Sequence, residues 1–325
     1  MNTSAGINGF GRFGLHLLKK WLDEFKKSTI EIKYINDENL NINKIFNLIK
    51  NDYKLSFQKY KFKKINKKTL SFELNRKIFF INVTKSKTEK IPWIGKPSLF
   101  FECSGRNLSK KKYLKVVKNN TKLVIISATS WDCDKTLIAS HNDNEFNFKK
   151  HKVISYGSCT VNAFVPFASE LNQNFGINKS SINVIHNVPK YKLNNFNTLH
   201  RKFCTLELMG PKLLSFINKD NFNVNYTMVP YSGVSIMDFH FTLKKRINHK
   251  VIINFLSRGK IKKLYKLIEF DNGPESCSEQ NFNSVFIKNS IKIKKNDLYV
   301  QSYFDNENSA YQFHELTKKI IKKLK

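Results

Sequence analysis

Apolar residues recur at helical spacing near the start of the chain. In residues 13–27 they fall on one helical face, opposite lysines and acids, which predicts an amphipathic helix. They are Leu15, Leu18, Trp21, Leu22 and Phe25. Residues 30–37, IEIKYIND, alternate between apolar and polar and predict a strand, and residues 41–50 predict a second helix. Residues 69–83 predict a hairpin that turns at the dipeptide NR.

Short apolar runs then alternate with helical stretches. Residues 98–105, 122–129 and 152–158 each predict a strand, and the basic stretch 108–119 predicts a helix between the first two. Strands that alternate with helices indicate a parallel, doubly wound sheet. The first 158 residues therefore predict an α/β domain.

The pattern changes after a predicted helix at 160–173. Longer β segments follow at 180–188, 225–245 and 296–307, and these are typical of an antiparallel sheet. The tail, 309–325, is again amphipathic and helical. We therefore expect two domains, an α/β domain and an α+β domain with a mainly antiparallel sheet, divided immediately before Cys159.

A glycine-rich loop joins the first predicted strand to the first helix. The segment INGFGRFG carries Gly9, Gly11 and Gly14, and Asp37 stands at the end of the next strand. The first glycine allows a tight turn, the second lets the backbone approach a pyrophosphate, and the third lets helix and strand pack closely. An acid at the second strand suits ribose hydroxyls and repels a 2′-phosphate, so the pattern favours NAD over NADP.

Composition adds a strong positive charge. The chain has 325 residues, with 57 Lys+Arg against 25 Asp+Glu, a formal net charge of +32. Basic residues clustered on one face or tail would indicate nucleic-acid binding. Here the lysines and arginines are spread evenly along the chain, which biased codon usage can explain. We therefore expect no specific nucleic-acid binding. No apolar run is long enough to cross a bilayer and no signal-peptide pattern opens the sequence, so we expect a soluble cytoplasmic protein.

Five scattered cysteines without a C-x-x-C pair suggest neither a disulfide framework nor a zinc site. Cys159, in the segment SCTVN, differs from the others because it begins the helix predicted at 160–173. The dipole and free N–H groups of a helix N-terminus lower the pKa of a thiol. The position therefore makes Cys159 a candidate nucleophile.

Together, INGFGRFG and SCTVN resemble the glyceraldehyde-3-phosphate dehydrogenase family. Further segments match that family in order along nearly the whole chain. They are YINDENL, IPWIGKPSLFFECSG, VIISATS, VPYSGVSIMD and SYFDNENSAY. The resemblance implies an NAD-binding Rossmann domain, residues 1–157 completed by helix 307–325, and a catalytic domain, residues 158–306. It also implies a homotetramer that oxidises glyceraldehyde 3-phosphate with NAD and inorganic phosphate to 1,3-bisphosphoglycerate.

The resemblance assigns the general base to a histidine on the strand after the Cys159 helix. NVIHNV supplies His186, 27 positions after Cys159. A thiolate attacks carbonyls well and leaves well, and a paired histidine can stabilise it and accept the hemithioacetal proton. The remaining cysteines and histidines are interpreted as structural residues.

The resemblance also assigns cofactor residues. It places Arg12 and Phe13 beside the pyrophosphate, Asp37 at the ribose, Ser127 along the cofactor cleft, and Asn306 at the nicotinamide carboxamide. Gly9 and Gly11 belong to the loop itself.

The phosphate sites depart from the family pattern. Ser158 and Thr160 are present beside the cysteine, but Pro189 replaces a threonine after the histidine. The family's Thr-Gly pair matches Met209-Gly210, and Met228 stands where the family has an arginine. A methionine supplies neither the charge nor the donors with which arginine binds phosphate.

The segment from His186 to Gly210 is also shorter than in the family. Five cations could replace the lost arginine. They are Lys190, Lys192, Arg201, Lys202 and Lys212.

Two alternatives remain open. The same Cys–His–NAD chemistry could act on another aldehyde, such as erythrose 4-phosphate, or without phosphate as the acyl acceptor. In the second alternative, the protein is a basic RNA-binding scaffold with weak catalytic activity. Against this scaffold, Cys159, His186, Asp37 and Asn306 are all retained.

Overall fold

The structure, a computed structural model, describes residues 2–52, 55–74, 76–187, 200–230, 234–277 and 281–323. The chain divides into two compact units. The first comprises Met1–Leu137, Asn142–Gly157 and Phe313–Lys325, and the second comprises Ile138–His141 and Ser158–Gln312.

The first unit is built on one sheet. Its strands are β1 (Thr3–Asn8), β2 (Ile30–Asn36), β3 (Lys63–Lys64), β4 (Thr69–Leu74), β5 (Lys77–Thr84), β6 (Leu99–Glu102), β7 (Leu123–Ile126), β8 (Lys135–Thr136) and β9 (Val153–Ser155). Its helices are α1 (Arg12–Asp23), α2 (Ile42–Asn51) and α3 (Lys110–Leu114). Within the described residues the strand order is β3-β4-β5-β2-β1-β6-β7-β9-β8.

Every neighbouring pair in this sheet is parallel except β3–β4 and β4–β5, and β4–β5 is the hairpin predicted over residues 69–83. Strand order reverses at β1, which pairs with β2 on one side and β6 on the other. The carboxyl ends of strands at such a reversal form the crevice in which doubly wound sheets bind ligands. The predicted α/β class is confirmed.

The second unit begins with α4 (Cys159–Phe175). Its strands are β10 (Ile177–Asn187), β11 (His200–Arg201), β12 (Phe222–Val229), β13 (Ser235–Leu243), β14 (Tyr265–Ile268), β15 (Ser284–Ile287), β16 (Lys292–Lys294) and β17 (Asp297–Phe304). Its other helices are α5 (Thr205–Leu213), α6 (His249–Leu256) and α7 (Gly259–Leu264), and α8 (Asn306–Ile321) passes from this unit into the first after Gln312.

The second sheet has the order β11-β12-β10-β13-β17-β15-β14, with β16 paired to β17, over the described residues. Five pairings are antiparallel, and β10–β12 and β14–β15 are parallel, so the predicted mainly antiparallel sheet is confirmed. Helix α4 packs on it, with Phe164 and Phe167 against Phe239 and Phe241. This packing places the first residue of α4 near the end of β10.

Two expected elements differ from the structure. The single β segment 225–245 is two strands, β12 and β13, which flank β10 on opposite sides instead of pairing with each other. The helix expected over 108–119 is only α3, because tight turns follow it and Asn119 adopts a left-handed conformation with φ 50°. None of the described helices has the length and apolar composition needed to cross a bilayer.

Candidate active site

Cys159 is the first residue of α4, and Ser158 caps that helix. The Ser158 Oγ accepts a hydrogen bond from the backbone N–H of Val161 at 3.3 Å. Serine is a favoured N-cap because its hydroxyl satisfies a backbone donor that has no intrahelical partner. The cap fixes where the helix begins and so fixes the position of the Cys159 thiol.

His186 lies near the end of β10 and faces this thiol. The Cys159 Sγ and the His186 Nε2 are 3.3 Å apart. The His186 Nδ1 lies 2.7 Å from the Asn187 carbonyl oxygen, which can only accept, so Nδ1 carries the proton. Nε2 therefore presents its lone pair to the thiol, as a general base requires.

Burial raises the pKa of the Cys159 thiol to about 12, and the nearby Cys204 thiol acts in the same direction. The backbone N–H of Thr160 lowers the pKa, as the helix position predicts, but its effect is smaller than that of burial. The expectation of a lowered pKa for the Cys159 thiol is therefore wrong, because burial outweighs the effect of the helix start. Cys159 is therefore protonated at neutral pH, and the His186 Nε2 is an acceptor within reach of its proton.

Three hydroxyl groups lie together at the start of α4. The Ser158 Oγ is 3.0 Å from the Thr160 Oγ1 and 2.9 Å from the Thr205 Oγ1. The Cys204 thiol donates to the Thr160 Oγ1 at 3.7 Å. Hydroxyls can both donate and accept, so this cluster can bind phosphate oxygens.

Thr205 was missed in the sequence. We matched the family's Thr-Gly pair to Met209-Gly210, but both residues are buried within α5. A Cβ on Gly210 would lie 2.8 Å from the Phe222 ring, so the glycine serves helix–strand packing. The threonine whose hydroxyl lies beside Ser158 is Thr205, four residues before Met209 at the start of the same helix.

Met228 occupies the register position opposite His186 on β12. The structure thus puts a side chain without charge beside the base, as the sequence comparison indicated. Pro189, Lys190 and Lys192 lie outside the described residues.

The other candidate cations are exposed. Arg201 pairs with Thr227, one position from Met228, so it projects from the opposite sheet face to His186. The backbone N–H of Lys202 donates to the Tyr226 carbonyl, so Lys202 stands opposite Tyr226 of β12. By this register Lys202, unlike Arg201, belongs to the sheet face that carries His186.

The glycine loop has the backbone geometry that was expected. Gly9 has φ 93°, and a Cβ there would lie 2.4 Å from the Ser104 backbone nitrogen. A Cβ on Gly14 would lie 2.4 Å from the Gly9 carbonyl oxygen. A Cβ on Gly11 would meet no atom within 4 Å, and no side chain caps the first turn of α1. Packing within the protein thus requires glycine at positions 9 and 14. The space beside Gly11 is open.

Asp37 holds the loop from the neighbouring strand. Its Oδ2 accepts from the Phe10 N–H at 2.8 Å, and its Oδ1 accepts from Asn39 at 2.8 Å and Leu40 at 3.0 Å. A carboxylate has about four lone-pair sites, so capacity remains for a hydroxyl donor.

Arg12 and Phe13 make contacts within the first unit. The Arg12 guanidinium bonds the Asp52 carboxylate at 2.5 Å and lies 2.8 Å from the His16 Nε2. Phe13 packs edge-on against Phe313, with ring centroids 5.4 Å apart. The side chains of both residues thus anchor α1.

The last two predicted cofactor residues lie at element ends. Ser127 directly follows β7, where its N–H donates to the Glu102 carbonyl at 2.9 Å. Asn306 is the first residue of α8, and its side chain lies outside the described part of the chain.

A buried polar network behind the glycine loop was also missed. Glu102 is fully buried at the end of β6, and its carboxylate accepts from Asn8 Nδ2 and the Ser104 N–H, both at 2.7 Å, and from the Tyr113 hydroxyl. Burial raises the pKa of Glu102. The sequence signal for this network was an acidic residue at the end of an apolar strand, in the segment FFEC. The network links β1 to β6, at the point where the strand order reverses.

One group of metal-ligand side chains occurs among the described residues: Glu24, His314 and Glu315. The Lys318 ammonium lies 2.8 Å from one carboxylate and 2.7 Å from the other. Since a cation already balances both acids, the group is an ion-pair cluster.

Comparison with known proteins gives relatives along nearly the whole chain. No family model matches it. The glyceraldehyde-3-phosphate dehydrogenase of Priestia megaterium is 24% identical over 94% of each chain. Glyceraldehyde-3-phosphate dehydrogenase 2 of Trichormus variabilis is 27% identical, covering 93% of this chain and 94% of the relative. The cytosolic enzyme of Taxus baccata is also 27% identical, covering 93% and 92%. The chain is thus similar, as a divergent relative, to glyceraldehyde-3-phosphate dehydrogenases.

Proposed function

We propose that the protein is an NAD-dependent, phosphorylating glyceraldehyde-3-phosphate dehydrogenase. It converts glyceraldehyde 3-phosphate, NAD and inorganic phosphate to 1,3-bisphosphoglycerate through a thioester on Cys159. The observation that carries the proposal is the 3.3 Å approach of the Cys159 Sγ to an unprotonated His186 Nε2. The similarity to dehydrogenases over nearly the full chain supports it.

In the first step the thiol proton moves to the His186 Nε2 and the sulfur of Cys159 attacks the aldehyde carbon. The proton then passes to the carbonyl oxygen, which gives a hemithioacetal. His186 removes that hydroxyl proton as hydride departs, and the carbon becomes a thioester. A phosphate oxygen attacks the thioester, the acyl phosphate forms, and the thiolate leaves.

The hydroxyl cluster is the proposed anion site. Ser158, Thr160 and Thr205 are the proposed donors to phosphate oxygens, and their hydroxyls lie together at the start of α4. Because Met228 supplies no charge, we assign Lys202 as the replacement cation on the basis of its register. Binding also benefits from the positive net charge, which attracts anions at long range.

NAD fits the first unit. The open space beside Gly11 and the uncapped first turn of α1 suit a pyrophosphate, because helix N-termini present N–H groups to anions. Asp37 retains capacity for a ribose hydroxyl, and its charge disfavours NADP. The nicotinamide supplies the hydride acceptor of the reaction. Ser127 and Asn306 are further proposed cofactor residues.

The proposal includes the domain roles. Residues 1–157 with 307–325 bind NAD, and residues 158–306 carry the chemistry. We also propose a cytoplasmic homotetramer, by similarity to the family.

Met228 favours one alternative, in which the same pair oxidises another aldehyde such as erythrose 4-phosphate, or water accepts the acyl group. An arginine grips phosphate bidentately, and methionine cannot. The basic RNA-binding scaffold is a further alternative, which predicts salt-sensitive RNA binding and negligible turnover.

The test is NADH formation by the purified protein with glyceraldehyde 3-phosphate, with and without inorganic phosphate. We expect phosphate-dependent activity that Cys159→Ser abolishes. Cys133→Ser, a matched change at a half-buried cysteine of the first unit, should retain it. NADH formation at the same rate with and without phosphate would favour the first alternative. Equal rates in Cys159→Ser and wild type would contradict the proposal.

A further inference from the structure

Ser235 is a buried serine at the start of β13, beside the end of β10. Its side chain is 1% exposed. The antiparallel register that pairs Ile185 with Ile236 brings Ser235 alongside His186 and Asn187. A buried hydroxyl at this point needs hydrogen-bond partners, and their identity indicates its role.

Both partners of the Ser235 hydroxyl belong to Asn187. The Asn187 backbone N–H donates to the Ser235 Oγ at 3.0 Å, and the Ser235 hydroxyl donates to the Asn187 Oδ1 at 2.8 Å. The hydroxyl is therefore used as acceptor and donor at once. This pair of bonds fixes both the backbone and the side chain of Asn187.

Asn187 in turn orients the base. Its carbonyl oxygen accepts the His186 Nδ1 proton at 2.7 Å, which leaves Nε2 unprotonated and 3.3 Å from the Cys159 Sγ. Tyr226 and Phe304 contact the imidazole as rings, with centroids 5.6 Å and 5.7 Å away. Ring contacts restrict the tilt of an imidazole, but a polar partner selects its tautomer.

We propose that Ser235 is a positioning residue for the Cys159–His186 pair. Its hydroxyl holds Asn187 so that the Asn187 carbonyl keeps the proton on Nδ1 and the lone pair on Nε2. Loss of the hydroxyl frees the Asn187 peptide, weakens the Nδ1 bond and makes proton transfer from Cys159 less favourable. This inference rests on the pairing of thiol and base in the proposed function.

The experiment measures the rate at which iodoacetamide alkylates Cys159, by peptide mass spectrometry, from about pH 6 to about pH 9. In Ser235→Ala we expect the rate at neutral pH to fall about threefold to tenfold and the profile to move to higher pH. Ser235→Thr keeps a hydroxyl and should stay within about twofold of wild type. Ser302→Ala is the matched control, because Ser302 is equally buried and its hydroxyl has no hydrogen-bond partner within the described residues.

A merely structural role would lower the melting temperature of Ser235→Ala and leave the pH profile of Cys159 unchanged, and that result would overturn the inference. If Ser235→Ala does not fold, Ser235→Cys, of similar size and weaker hydrogen bonding, gives the same test. The outcome is separable from the proposed function. A shifted profile in a protein that forms no NADH overturns the function alone, and an unshifted profile in an active dehydrogenase overturns this inference alone.

Discussion

Replacement of His186 by asparagine should suppress the reactivity of Cys159. Cys159 is half-buried at the start of α4, and desolvation of its thiol raises the pKa from an ordinary value of 9.0 to about 12. At pH 7 an ordinary cysteine is ionised in about one molecule in 100, whereas a pKa near 12 leaves about one in 100,000. In the proposed reaction His186, whose Nε2 lies 3.3 Å from the sulfur, offsets this deficit by accepting the proton. Asparagine is polar but cannot accept it.

We therefore expect His186→Asn to slow alkylation of Cys159 by about 100-fold to 1,000-fold at neutral pH. The assay is the time course of iodoacetamide labelling, followed on the Cys159 peptide. Cys133, which is half-buried and bonded to the Ser130 carbonyl, provides an internal reference in the same sample. Labelling of Cys159 in the variant within about threefold of wild type would refute the reasoning, because the thiolate would then form without the base.

Four further predictions concern the glycine loop, the hydroxyl cluster and a buried histidine. Gly9→Ala should lower the melting temperature and reduce the free energy of unfolding by about 1–3 kcal/mol or more, because Gly9 has φ 93° and an added Cβ would clash with the Ser104 backbone. Gly11→Ala should spare stability but weaken NAD binding in calorimetry, as its Cβ enters open space. Thr205→Val should raise the KM for phosphate or triose phosphate about threefold to tenfold, with a smaller change in kcat. Burial lowers the pKa of His314 below its ordinary 6.5. The unfolded chain therefore binds a proton at His314 more readily than the folded protein, and stability falls as pH drops below 6.5. His314→Gln should reduce this dependence of the melting temperature on pH.

Local patterns were sufficient for much of the first unit. Alternation over 30–37 and 69–83 predicted β2 and the β4–β5 hairpin, because side-chain period and turn chemistry are local properties. The glycine loop was recognisable for the same reason. Its spacing reflects backbone positions that only glycine can occupy, as at Gly9.

Long-range pairing was not predictable. Alternation over 225–245 indicated β structure but could not show that β12 and β13 pair with β10 on opposite sides. Thr205 was missed because no local motif marks it, and only the packing of α5 beside α4 places its hydroxyl 2.9 Å from Ser158.

The thiol of Cys159 shows how burial can reverse a local expectation. A helix start lowers a thiol pKa, but a sequence does not report how deeply the sulfur is packed. In the structure burial is the larger effect, so the pKa is raised. We therefore expect the reactivity of Cys159 to depend on His186, which is 27 positions away in the sequence and 3.3 Å away in the structure.

The central claim is that Cys159 carries the acyl group, and intact-mass analysis of the protein tests it most directly. The protein is mixed with glyceraldehyde 3-phosphate and NAD while phosphate is withheld, and the adduct is located by peptide mapping. We predict a thioester on Cys159 that inorganic phosphate discharges and that is absent from Cys159→Ser. An adduct on another residue, or NADH formation with no adduct on Cys159, would contradict the account.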